Sequence, residues 1–286
     1  PLKRPEWDKF PGAIYTIGSD SLMPDGKIIQ QPSTHLLGQN FSKPFDVKFK
    51  NEDGKEQYVW QTCYGPAISR ILASVISTHG DDSGLVMPFC ISPIQVVIIP
   101  IFNKENKNKI LKESEKIKEQ LEKLELRTEI DSTEKRPGEK YHEWELKGVP
   151  FRLEIGEKEL KEEKLTLFVR DTKNKTNISI KDLAKINSFG EEFDKRLREK
   201  ADKMFKNNII SCRNKSEIKK AIEDKKITKI NFCSIEKEGE KCAEVIEKEI
   251  GAEVRGSLAN KKETPDGKCV ICGKKPEVVI YVGKSY

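Results

Sequence analysis

The sequence predicts a multidomain protein of mixed α/β and α+β class, and three observations carry that expectation. Residues 1–92 alternate strand-like runs with turn dipeptides, residues 93–187 alternate strands with helices, and residues 188–286 follow a long polar helix with short elements and a set of cysteines. Each segment is expected to be a domain, since 286 residues suit two or three domains at roughly 100–200 residues apiece.

In the first segment the runs Ala13–Ile17, Val47–Phe49 and Tyr58–Thr62 are separated by the turn dipeptides Asp25-Gly26 and Asp53-Gly54. Turns of this kind between alternating runs predict antiparallel hairpins. From Pro66 the period changes, because Ile68, Ile71, Leu72, Val75 and Ile76 fall at helical spacing. A strand therefore runs into a helix across Gly65.

The second segment opens with Ile94–Ile99, a nearly unbroken apolar run typical of a strand buried on both faces. A charged helix is predicted over 107–124, then a strand over 126–130, a helix over 141–146 and a strand over 151–155. That alternation predicts a compact α/β domain with a mostly parallel sheet. In the third segment a polar helix is predicted over 191–207, followed by a small α+β domain.

Charged residues make up 35% of the chain and aromatics 7%, so apolar material is concentrated in a few dense segments. The formal charge of +6 is compatible with a nucleic-acid partner without requiring one. No apolar run approaches the roughly 20 residues that cross a bilayer, and no charged-then-apolar leader opens the chain, so a cytoplasmic protein without a membrane partner is expected.

Among the seven cysteines, Cys233, Cys242, Cys269 and Cys272 form the strongest local signal. Cys269-Val270-Ile271-Cys272-Gly273 is a tight knuckle that aims two thiolates inward, and four thiolates suit a closed, structural tetrahedral zinc site. Buried free thiols or a redox pair are the competing reading. A second signal is Trp60–Gly65 leading into the helix that carries Arg70, followed by His79–Leu85; small residues at a strand-to-helix turn admit a ligand, and an arginine there can meet phosphate. The third is Ser33-Thr34-His35-Leu36-Leu37-Gly38, where an imidazole between hydroxyls suits a small polar ligand or simply fills a core position.

Taken together these segments resemble prolyl-tRNA synthetases of the archaeal and eukaryotic kind, over nearly the whole chain. The matching stretches are Trp7–Ala13, Thr34–Phe41, Trp60–Arg70, His79–Pro88, Pro93–Ile101, His142–Gly156 and the Lys284-Ser285-Tyr286 end. The resemblance implies the last part of a class II antiparallel-sheet catalytic domain (1–92), an anticodon-binding domain (93–187) and a C-terminal zinc domain (188–286). It implies ATP-dependent activation of proline to prolyl-adenylate and transfer of the prolyl group to tRNA(Pro), with Mg2+ accompanying ATP, a structural Zn2+, and a homodimer for the full-length enzyme. Arg70 matches the motif 3 arginine that holds the γ-phosphate and stabilises the departing pyrophosphate. Gln30, Gln61 and Thr62 fall at adenylate contacts, and Phe10, Ser33, His35, Cys63 and Gly65 at the proline pocket. Lys135, Arg136, Lys140, Arg152 and Glu154 are candidates for the anticodon, with solvated charge or internal ion pairing as the alternative for each.

Two departures qualify the resemblance. The family's motif 1, proline-gripping loop and motif 2 are absent, so a truncated chain that does not complete activation alone is expected; a noncatalytic tRNA-binding or regulatory paralogue is the alternative. In addition, Gly65-Pro66-Ala67-Ile68-Ser69-Arg70 is one residue longer between Gly and Arg than the common pattern.

Overall fold

The computed structural model describes residues 1–286. In chain order the strands and helices are β1 (Leu2–Lys3), β2 (Tyr15–Leu22), β3 (Lys27–Gly38), β4 (Lys48–Lys50), β5 (Glu56–Tyr58), β6 (Gln61–Gly65), α1 (Ile68–His79), β7 (Val96–Pro100), α2 (Lys107–Lys123), β8 (Thr128–Ile130) and α3 (Pro137–Leu146). They continue with β9 (Phe151–Ile155), α4 (Glu157–Lys161), β10 (Lys164–Val169), β11 (Asn174–Ser179), α5 (Lys185–Asn207), β12 (Ile209–Ser211), α6 (Lys215–Glu223), β13 (Ile227–Phe232), α7 (Glu240–Ile250), β14 (Glu253–Leu258) and β15 (Val278–Ser285). These elements gather into two compact units, one of residues 1–74 with 204–286 and the other of residues 75–203.

The first unit is built on an eight-stranded sheet in the order β12-β13-β15-β14-β1-β2-β3-β6, and β15 also pairs with β3. The Asp25-Gly26 turn closes the antiparallel β2–β3 hairpin and Asp53-Gly54 closes β4–β5, each with its glycine at positive φ. The single strand predicted over 58–62 is instead split between β5 and β6. The break has a cause: Gln39 Nε2 donates to the Tyr58 carbonyl at 2.9 Å and Ser42 Oγ to the Val59 carbonyl at 2.7 Å, so side chains take acceptors that a ladder would use. Helices α6 and α7 cover β13–β15, burying Ile218, Ile230, Phe232, Ile246, Val254, Ile280 and Val282.

The second unit is a five-stranded sheet in the order β11-β10-β9-β7-β8, with β7 parallel to both β8 and β9. Val96–Ile99 of β7 are fully buried, Val96 and Ile98 against α2 and Phe151, Val97 and Ile99 against Trp144 and Val149. This is the strand buried on both faces that its apolar run predicts. The pairings β9–β10 and β10–β11 are antiparallel, so the sheet is mixed and not mostly parallel as predicted; no helical crossover joins β9 to β10, only the short α4. Helix α3 begins four residues before the predicted start because Pro137 occupies its first turn and Glu139 reaches back to the Arg136 backbone.

Candidate functional site

The β ladder of the first unit gathers the small-ligand candidates. Strand β3 pairs Ser33 with Gly18 and Gly65, and His35 with Thr16 and Cys63, so these side chains share one face of the sheet. A register shift next to Pro32 brings Gln30 to the same side. Phe10, Gln30, Ser33 and His35 line a cavity of about 410 Å3 together with Trp7 and Asp8. The Phe10 ring lies 4.8 Å from that of His35.

Cys63 and Gly65 stand across the ladder from His35 and Ser33, while Thr62 alternates to the opposite face. Gln61 falls on the His35 face by the same alternation, and its buried Oε1 has no hydrogen-bond partner. Arg70 is exposed in the first turn of α1, its side chain free of any ion pair. The turn leading to it holds Ala67 at φ 51°, a left-handed conformation that costs a residue with a Cβ about 1 kcal/mol or more. The cavity thus unites four of the predicted residues, with Gln61, Cys63, Gly65 and Arg70 on the neighbouring strand and helix.

Thr16 Oγ1 accepts from the Phe10 N–H at 2.9 Å and lies 2.9 Å from His35 Nδ1, with no other acceptor for its own proton. The hydroxyl therefore donates to Nδ1, which leaves the proton of the neutral ring on Nε2. That N–H donates to Ser33 Oγ at 3.0 Å, and the Ser33 proton is left for a ligand in the cavity. Burial holds the His35 pKa below its ordinary value, consistent with a neutral ring. We expect nitrogen-detected NMR to find the Nε2–H tautomer; Thr16→Val should lose that preference and Thr16→Ser restore it. An unaltered tautomer in the valine variant would remove Thr16 from this role.

Beside the cavity lies a charge cluster that sequence reasoning missed. Asp20 accepts from Arg4 at 2.6 and 3.0 Å and from Arg255 at 3.1 Å twice, tying β2 to β14 and to the residue that follows β1. Burial alone would raise the Asp20 carboxyl, but hydrogen bonds from the two guanidiniums outweigh it and hold the pKa below 3.8.

In the second unit, a cavity of about 280 Å3 sits outside the carboxyl ends of β7 and β8, lined by Phe102, Asn103, Lys107, Thr133, Lys135 and Lys140. Ligands favour this end of parallel strands. Lys140 is nearly fully buried and donates to the Asp131 carbonyl at 2.8 Å; burial holds its pKa below the ordinary lysine value. Lys135 is exposed and paired with Glu143, and Arg136 is exposed at the start of α3. Arg152 and Glu154 lie elsewhere, on β9, in an internal network: Arg152 pairs with Glu145 and Glu154 and stacks between Tyr141 and Phe168. The internal ion pairing considered for these two residues is what the geometry shows. Asp81 of the His79–Leu85 loop is likewise engaged, by the fully buried Arg170 at 2.6 and 2.9 Å.

The four cysteines converge, with every pair of their Sγ atoms within 4.8 Å. Thiolates about 2.3 Å from a tetrahedral zinc stand about 3.8 Å apart, so a slight contraction would close the site. Cys233 follows β13 and Cys242 lies in the first turn of α7; Gly239 between them is required, since a Cβ there would meet the Ser234 carbonyl at 1.9 Å. Cys269 and Cys272 sit on the knuckle, closed by the Gly273 N–H donating to the Cys269 carbonyl at 2.9 Å. Burial pushes the Cys233 thiol up to about 11, so a bound cation is what would favour the thiolate.

Two stretches of the chain match known families. Residues 95–188 match the family described as anticodon binding domain, and residues 215–286 match that described as prolyl-tRNA synthetase, C-terminal. All of the chain aligns with the proline–tRNA ligase of Thermofilum pendens at 41% identity and with that of Methanococcoides burtonii at 43%. Over its whole length the chain is similar to the prolyl-tRNA synthetases. Two solved prolyl-tRNA synthetases superpose on it over its full length at 35% identity: that of Giardia lamblia in complex with prolyl-adenylate, with a TM-score of 0.92, and that of Cryptosporidium parvum complexed with halofuginone and AMPPNP, with a TM-score of 0.89. The chain spans 59% of the length of both prolyl-tRNA ligases, and 61% and 60% of the two solved prolyl-tRNA synthetase chains.

Proposed function

We propose that this chain forms the amino-acid cleft, anticodon-binding and zinc-binding parts of an enzyme that activates proline with ATP and transfers the prolyl group to tRNA(Pro). The division we favour is 1–92 as the end of a class II catalytic domain, 93–187 as the anticodon-binding domain and 188–286 as the zinc domain. One observation carries the reading: a small cavity with an aromatic wall at Phe10, a neutral His35 and a free Ser33 hydroxyl, on the sheet that leads through β6 to Arg70. A pyrrolidine ring suits the wall, and the few fixed polar groups suit its polar end.

In this reading Gln30, Gln61 and Thr62 contact the nucleotide, with the unpartnered Gln61 Oε1 available to a donor such as an exocyclic amine. Arg70 takes the γ-phosphate, and its free guanidinium supports that role. Cys63 and Gly65 border the proline from β6. Thr62, turned to the other face, is the weakest member of this set. For tRNA, the cavity at the ends of β7 and β8 offers Phe102 as a stacking surface, with the exposed Lys135 and Arg136 at hand and Lys140, Arg152 and Glu154 supporting the domain from within. Cys233, Cys242, Cys269 and Cys272 hold a structural zinc, which supplies folding energy.

The same reading places Mg2+ with ATP, a homodimer for the complete enzyme, and a cytoplasmic setting; no helix is long and apolar enough to cross a membrane. Trp60 just before the edge strand β6, Tyr64 on it, and Ile68 and Leu72 on α1 are exposed, the surface on which the remaining two fifths of the relatives' length would pack. Joined to that part, the chain should exchange pyrophosphate into ATP when given proline. Arg70→Ala should lower the exchange about 100-fold, the effect of removing one transition-state charge contact worth about 3 kcal/mol. Exchange driven only by another amino acid would overturn the assignment, and full exchange by the alanine variant would remove Arg70 from it.

A further inference from the structure

A continuous polar trough crosses the C-terminal part of the eight-stranded sheet, walled by the turn after β12, strand β13 and the loop between β14 and β15. Its two sections, of about 470 and 710 Å3, share Arg213, Asn231 and Asp266. The distribution of charge within it is uneven. Both acids are engaged: Glu263 accepts from Lys229 and from Tyr281 at 3.0 Å, and the Asp266 carboxylate accepts from Asn231 at 2.8 Å. Lys229 is held by Glu263, and the other four cations are free. Arg213, Lys261, Lys262 and Lys268 are all exposed and line the trough from one end to the other, and none forms an ion pair.

We infer that this trough holds a phosphodiester backbone, and, resting on the function proposed above, that of the tRNA. Four unpaired cations outnumber the one carboxylate, Asp266, that no cation neutralises, so the trough keeps a net positive charge for a polyanion, and the guanidinium of Arg213 at the junction matches the two oxygens of a phosphate. The trough carries no aromatic platform for bases among its lining residues, so the contact would follow the backbone and not read sequence. This surface belongs to the first unit and is separate from the cavity at β7 and β8 in the second.

The test is fluorescence anisotropy of labelled tRNA(Pro) transcript with the full chain, between 50 and 200 mM salt. Replacing Arg213, Lys261, Lys262 and Lys268 by glutamine should weaken binding at least about tenfold at 100 mM salt. The slope of log affinity against log salt should shrink by roughly 3, at about 0.7–0.9 for each lost phosphate contact. Melting temperature and zinc content serve as controls. Should the fourfold variant melt early, Lys261→Gln with Lys262→Gln alone should still reduce the slope by roughly 1.5. A wild-type chain that does not bind the transcript overturns both this inference and the tRNA partner proposed above. Wild-type binding that the glutamine variants leave unchanged, while Lys135→Gln with Arg136→Gln weakens it, overturns the trough alone. Displacement of the tRNA by polyglutamate as readily as by polyuridylate would assign the trough to an acidic protein segment and likewise overturn it.

Discussion

Stripping the metal from the four-cysteine site is expected to unfold the C-terminal part of the chain before anything else. Structural zinc contributes on the order of 10 kcal/mol to the fold of small domains, comparable to the whole stability of about 5–15 kcal/mol of a typical domain. Here the cysteines are not a surface appendage. Cys242 and Cys269 belong to the same apolar cluster as Phe232, Ile246 and Ile280, so loss of the ion would loosen β13, α7 and β15 together. Elemental analysis should find about one zinc per chain. A chelator, or Cys269→Ser, should produce an early unfolding step in calorimetry, with protection from hydrogen exchange lost first over 227–286. A chain that contains no zinc and melts identically with and without chelator would reduce the four cysteines to buried thiols.

Asp20→Asn should be the most damaging single substitution outside the cysteines. It leaves Arg4 and Arg255, both nearly fully buried, facing one another without the carboxylate that accepts four hydrogen bonds from them. Breaking a buried pair this way costs about 3–5 kcal/mol. The pH dependence has a definite sign. Because the folded pKa of Asp20 lies below its unfolded value, its contribution is fully present above the ordinary carboxylate range and is lost as pH falls through the folded value, below 3.8. Urea denaturation should show the wild-type advantage over the asparagine variant at pH 7 and its decline in strong acid. Equal midpoints at pH 7 would show that the cluster contributes nothing to stability.

How much of this was legible in the sequence depends on the range of the interaction. The Asp25-Gly26 and Asp53-Gly54 turns and the double-faced burial of Val96–Ile99 are local, and the chain states them directly. The cysteine knuckle is equally plain because only two residues separate Cys269 from Cys272, and a 3-10 turn at Lys237–Gly239 lies between Cys233 and Cys242. By contrast, residues 1–74 and 204–286 share one sheet, with Leu2 paired to Leu258, and a ladder between such distant strands leaves no periodic trace in either.

The same holds for side chains. His35 and Ser33 stand out as a motif, but Thr16, which sets the tautomer, is an ordinary threonine until the β2–β3 register places it opposite His35. Arg152 and Glu154 illustrate the converse. The resemblance makes those positions candidates for contact with RNA, with internal ion pairing as the alternative, and Tyr141, Phe168 and Glu145, brought in from other elements, enclose them. Sequence alone cannot distinguish a charge facing solvent from one that meets its partner across a sheet.

The most direct measurement of the central claim is a structure of the complete enzyme with a non-hydrolysable prolyl-adenylate analogue. The pyrrolidine ring is expected in van der Waals contact with Phe10 and His35, the Ser33 hydroxyl within hydrogen-bond distance of the bound molecule, and the nucleotide extending toward Gln61. An analogue bound away from the β2–β3 face, with the cavity beside His35 filled only by water, would contradict the account.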